Sequence, residues 1–131
     1  KDATSEFERV SAIRKLCPET FFIFNGNDDT ALDWMLAGAH GVISVTANVA
    51  PEKMAMMCRA ALDGNRAAAE KINAELSALH KKLFLESNPI PAKWALEQMG
   101  KIKSGIRLPL LPLDSKYHQE VKEAMKNAGV I

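Results

Sequence analysis

An α/β fold with a parallel sheet is predicted by three features of the chain. Two short, wholly apolar runs, FFIF and GVISV, are each bounded by turn residues, as buried strands are. Segments with helical periodicity precede the first run and separate the two. Strands and helices therefore alternate, the signature of crossover connections in a parallel sheet. After Asn48 every periodic segment is helical.

Each element has a local cause. In SEFERVSAIRKLC, Ser5 and Glu8 have the spacing of a capping box, and Phe7, Val10, Ile13 and Leu16 recur at helical spacing until Pro18. FFIFN then reads as a strand buried on both faces. A turn at Gly26 and Asn27 leads through the capping residues of NDDT to a short helix that Gly38 closes. GVISVTAN, rich in β-branched residues, reads as a second buried strand.

From Pro51 the character changes. PEKMAMMCRAALDG has proline at its first helical position and glycine just past its end. NRAAAEKINAELSALHKKLFLE is a longer helix capped by Asn65, and Met54, Met56 and Met57 read as helix packing. After NPIP come the helix AKWALEQMG, the proline- and leucine-rich RLPLLPL, and a last helix stopped by Gly129. The boundary falls near Gly64, giving residues 1–64 as an α/β part and 65–131 as a helical domain.

Parallel strands carry functional residues at their C-terminal ends. Lys1, Asn25-Gly26 and Thr46-Ala47-Asn48 are the three such ends. Strands buried on both faces need neighbours on both sides, so the pattern reads as the end of something larger. The missing initiator methionine agrees.

Composition excludes several classes. Seventeen basic residues against sixteen acidic ones leave a net charge of +1 without a basic stripe, which argues against nucleic acid. Cys17 and Cys58 lack C-x-x-C spacing, and His40, His80 and His118 are too scattered for a ligand pair. The histidines read as loop or surface residues. No apolar run approaches the ~20 residues of a membrane span and no signal-peptide pattern is present, so no membrane partner and a reducing, cytoplasmic location are expected.

GAHGVISVTANVAPEKM, FLESNPIPAKWALEQMG and RLPLLPL together resemble the dihydrodipicolinate synthase family, a branch of the pyruvate-dependent class I aldolases and lyases. The resemblance runs from Lys1 to Ile131 and covers only the C-terminal portion of the family's usual length. It implies a (β/α)8 TIM barrel, entered at the end of strand six and followed through helix eight, with an all-helical C-terminal domain. FFIFN and GVISV would be strands seven and eight. The family's strand six ends in a lysine followed by an acidic residue, a small residue and Thr or Ser, and KDAT matches this.

The resemblance implies that Lys1 is the Schiff-base lysine. A lysine held in a low-dielectric interior loses solvation of its charge and becomes a nucleophile. It would form an imine with pyruvate, whose enamine adds to aspartate 4-semialdehyde. No metal or organic cofactor is implied, because the imine supplies the electron sink. Gly26 matches a glycine whose backbone lies beside the pyruvyl group, although a plain turn glycine explains it equally. Ile43 matches a position whose main chain contacts pyruvate, although ordinary core packing explains it too.

One departure stands out. The family often shows Ser-Gly-Asp-Asp where this chain has Asn25-Gly26-Asn27-Asp28, so an amide stands at position 27 in place of a carboxylate. The family's tyrosine-threonine-tyrosine relay and carboxylate-binding arginine would lie upstream, in an N-terminal barrel segment missing from the chain. The 131 residues alone are therefore expected to be inactive. A homotetramer, built as a pair of tight dimers, is the family's usual state. The alternatives are a sister lyase, of the N-acetylneuraminate or keto-deoxy sugar acid type, and a non-catalytic, self-associating piece.

Overall fold

A computed structural model describes all residues from Lys1 to Ile131. Eight regular elements follow in chain order: α1 (Glu8–Leu16), β1 (Phe24–Asn25), α2 (Ala31–Leu36), β2 (Gly41–Val42), α3 (Pro51–Leu62), α4 (Arg66–Lys82), α5 (Ile90–Gln98) and α6 (His118–Asn127). β1 and β2 pair in parallel, Phe24 with Gly41 and Asn25 with Val42. Asp2 forms a parallel bridge to Asn25 on the other side of β1. Three extended segments therefore lie side by side in the order Asp2, β1, β2, with α1 and α2 as their crossovers.

The alternation is as expected, but the ladders are shorter than the apolar runs. Two-faced burial fails at several positions: Phe21, Phe22 and Ile43 are 48%, 67% and 51% exposed, whereas Ile23 is buried. Alternate side chains of a strand face opposite ways. Here Ile23 packs with Val10, Trp34 and Ala39 beneath the crossovers. Phe22 and Ile43 point to the opposite face, where both are largely exposed.

Two local readings also change. The first helix begins at Glu8 after Phe7, which makes no side-chain cap. Ser5 is no N-cap: it has a φ of 65°, and its hydroxyl accepts from Asn27 Nδ2 instead. GVISVTAN leaves the sheet after Val42 and turns as a single 3-10 turn over Thr46–Asn48.

The main core draws on both sides of Gly64. Leu32, Met35, Met54 and Met57 pack in one cluster with Leu76, Leu79, Ile90, Val121 and Met125. Met56, by contrast, is 43% exposed. At roughly 25 cal/mol per Å2 of apolar surface, each buried Leu or Met contributes ~2 kcal/mol. α4 is the central helix, packed by α3 on one side and α6 on the other. No helix is long and apolar enough to cross a membrane.

Candidate functional site

Backbone hydrogen bonds gather the three predicted site residues at one end of the sheet. Asp2 N–H donates to Phe24 O at 2.9 Å, Gly26 N–H to Asp2 O at 2.6 Å, and Ile43 N–H to Asn25 O at 2.8 Å. Lys1, Gly26 and Ile43 thus sit on three neighbouring segments, at the C-terminal ends where parallel sheets place ligands. Lys1 itself is exposed.

Gly26 is a glycine because of close approach rather than turn geometry. Its φ is not positive, unlike that of Gly38 at 101°. A Cβ built there would lie 2.7 Å from Lys1 Cε, 2.7 Å from Ala3 Cβ and 3.0 Å from Asp2 O. Any side chain would therefore displace the lysine or the backbone beside it.

The next residue, Asp2, is buried and fixes the lysine's segment. Its carboxylate accepts from Thr4 Oγ1 at 2.7 Å, Thr4 N–H at 2.9 Å and Arg9 Nε at 2.7 Å. The Thr4 hydroxyl, joined by the Thr4 amide and the Arg9 guanidinium, lowers the Asp2 pKa to about 2, against the opposing effect of burial.

A buried polar network underlies the strand ends. Asn25 donates from Nδ2 to Thr30 Oγ1 at 3.1 Å and accepts Asn27 N–H on Oδ1. Asp28 is 2% exposed. Its Oδ1 accepts from Ser44 Oγ, and its Oδ2 accepts the N–H groups of Val45 and Thr46, both at 3.0 Å. Ser44 Oγ accepts in turn from Ala47 N–H at 2.8 Å. At position 27 the amide contributes the bond to Ser5, a link that an acidic side chain could not donate.

His80 completes this network and corrects its reading as a loop or surface residue. It is 3% exposed on α4, with Nδ1 at 2.9 Å from Thr46 Oγ1 and Nε2 at 3.3 Å from Asn73 Oδ1. A neutral ring donating from Nε2 and accepting at Nδ1 satisfies both partners. Burial lowers its pKa, opposed by the nearby charges of Asp28 and Asp29. His40 and His118 are also bonded, His40 to Ile23 N–H and His118 to Leu113 O, with His118 stacked on Trp94.

Asp28, Thr46 and His80 were not singled out from sequence as a group. The one available signal was the pair of hydroxyl residues, Ser44 and Thr46, ending an apolar run. Beside the network lies a cleft of about 350 Å3 lined by Ser5, Asn27, Asp28, Asp29, His80 and Phe84 among others. A cleft of similar size lies elsewhere, between Phe7, Leu36 and Arg66, and includes none of the strand-end residues. No cluster of His, Cys, Asp and Glu is placed to hold a metal ion. Cys17 and Cys58 are free thiols, and burial raises the pKa of Cys58.

Comparison with known proteins gives a consistent result. A profile of the Dihydrodipicolinate synthetase family matches residues 1–128. The 4-hydroxy-tetrahydrodipicolinate synthase of Methylococcus capsulatus is 56% identical over 131 residues, which are all of this chain and 45% of that protein. A crystal structure of the chloride-inhibited dihydrodipicolinate synthase of Acinetobacter baumannii, complexed with pyruvate, is similar with a TM-score of 0.95. Its identity is 45%, over all of this chain and 45% of that one. A structure of a monomeric dihydrodipicolinate synthase variant is similar at TM-score 0.94 and 35% identity, again over 100% and 45%. The chain thus spans about 45% of the length of the curated relatives it matches.

Proposed function

The chain belongs to the dihydrodipicolinate synthetase family, and we propose that it supplies the Schiff-base lysine of a pyruvate-dependent lyase. In this reading Lys1–Ala3 ends barrel strand six, β1 and β2 lie in strands seven and eight, and residues 65–131 form the appended helical domain. The observation that carries the reading is the contact of Lys1 with the bare backbone of Gly26. A lysine side chain lies against a position where a Cβ would approach it to 2.7 Å. The similarity to a pyruvate-bound synthase supports the same assignment.

The chemistry follows from those groups. The Lys1 amine adds to the keto carbon of pyruvate and water leaves, forming an imine. The imine nitrogen draws electrons from the methyl carbon, which loses a proton and becomes a nucleophilic enamine. That carbon bonds to the aldehyde carbon of aspartate 4-semialdehyde. The substrate's own amino group then attacks the imine carbon, closing the ring and releasing Lys1. Gly26 and Ile43 offer main-chain surface to the pyruvyl group, and the product is 4-hydroxy-tetrahydrodipicolinate, on the way to diaminopimelate and lysine.

The proton-transfer and carboxylate-binding groups lie outside these residues in this proposal. The 45% coverage of relatives supports that view, and the 131 residues alone are then inactive. A cytoplasmic homotetramer, a pair of tight dimers, is the proposed assembly, although one similar structure is a monomeric variant. Incubation of the full-length polypeptide with pyruvate and borohydride, then peptide mapping, tests the central claim. One reduced pyruvyl group on the lysine of KDAT is expected, and trapping at another lysine would sink it.

A further inference from the structure

We propose that Asp28 is a positioning residue: it sets the spacing between the main chains of Gly26 and Ile43, and so the place of the keto acid beside Lys1. This rests on the pyruvate reading above. Asp28 stands two residues after Gly26, and the three groups it binds belong to Ser44, Val45 and Thr46, immediately after Ile43. One side chain thereby ties the loop leaving β1 to the loop leaving β2. The ladder itself holds Ile43 only from the other direction, through its N–H on Asn25 O.

The tie is stiff for a physical reason. Both carboxylate oxygens are used, by one hydroxyl and two amide donors, and Asp28 is only 2% exposed. Hydrogen bonds to a charged acceptor are stronger than neutral ones, the more so when the acceptor is buried. Thr46 carries the tie onward to His80 and α4, so the loop is held from the helical side too. An asparagine at position 28 keeps the shape and one oxygen for the two amides, but it loses the charge on the acceptor and can meet Ser44 only if that hydroxyl turns to accept. It loosens the loop without emptying the space.

Two-step imine chemistry provides a selective readout. The specificity constant for pyruvate reports imine formation, and that for the aldehyde reports the later condensation. In the full-length enzyme, Asp28→Asn is expected to lower kcat/KM for pyruvate about tenfold, as small misplacements of reacting groups do. The constant for the aldehyde should change less than twofold. Equal scaling of both constants, or no change in either, would overturn the positioning role. If Asp28→Asn does not fold, Ser44→Ala removes one of the three bonds and should show the same asymmetry at about threefold. Symmetric effects there count against the role equally. A parent enzyme whose Lys1 is not trapped by pyruvate and borohydride removes the underlying reading itself, an outcome distinct from symmetric scaling in an enzyme that is trapped.

Discussion

The two ends of the sheet are tied in opposite ways. At the N-terminal end a cation does the work: Arg14 donates to Gly38 O at 3.0 and 3.2 Å and to Phe21 O at 3.1 Å, and stands 2.9 Å from His40 Nδ1. At the C-terminal end an acid, Asp28, receives donors from the loop after β2. The Arg14 contacts to the backbone are exposed, whereas Asp28 is buried. Water can replace the donors of an exposed guanidinium at little cost, whereas the donors on a buried carboxylate are costly to leave unpaired. The first end contributes stability, and the second holds the loops to which the proposed chemistry is assigned.

Three substitutions or conditions sharpen this contrast. The largest effect belongs to Gly26→Ala, because the added carbon meets Lys1, Ala3 and backbone at 2.7–3.0 Å. A loss of ~2–3 kcal/mol in urea unfolding is expected from overpacking. Pyruvate trapping should fall about a hundredfold as the lysine is displaced. An alanine variant with the parent's stability and trapping would show that the close approach does not govern this end.

Next in size is the acid response of the C-terminal end. The Asp2 pKa is about 2 when folded against an ordinary 3.8. A depressed folded pKa stabilises the fold above the unfolded value, and that contribution is lost as pH falls from about 4 toward 2. It amounts to ~1–2 kcal/mol, reduced because Arg9 is half exposed. Asp2→Asn should flatten the stability profile over that range, measured by urea unfolding at a series of pH values. An unchanged slope would place the acid sensitivity elsewhere.

The smallest effect should come from the opposite end. Arg14→Met keeps the aliphatic stem and loses exposed hydrogen bonds, for about 1 kcal/mol. Both specificity constants should stay within twofold of the parent. A selective loss toward pyruvate would break the division between the two ends.

Most helix limits were legible in the sequence, for reasons that are local. Pro51 opens α3 as expected, Gly64 follows it with a φ of 76°, and Asn65 Oδ1 accepts from Ala68 N–H at 3.2 Å. The alternation of strands and helices was equally legible from periodicity. The errors have a common origin. Ser5 has the residue type and spacing of a cap, yet its hydroxyl is drawn to Asn27, 22 residues away. FFIF has strand composition, yet composition does not say which faces are covered, and Phe22 is exposed. His80 sits in a polar stretch of α4, and only the packing of α4 under the strand ends buries it.

The same division applies to the candidate site. Lys1, Gly26 and Ile43 were identified through motifs, and the fold places them on adjacent segments of one sheet end. The sequence by itself determined the order of elements, most helix limits and the candidate residues, because propensity, capping and motif identity are carried by near neighbours. Tertiary structure alone decided that Gly26 must be bare, that Asp28 joins two loops and that His80 is buried. Those facts depend on partners 16 to 34 residues apart, or on a lysine 25 positions upstream of the glycine it meets. Chain separation of that size leaves no local pattern, and only packing brings the groups together.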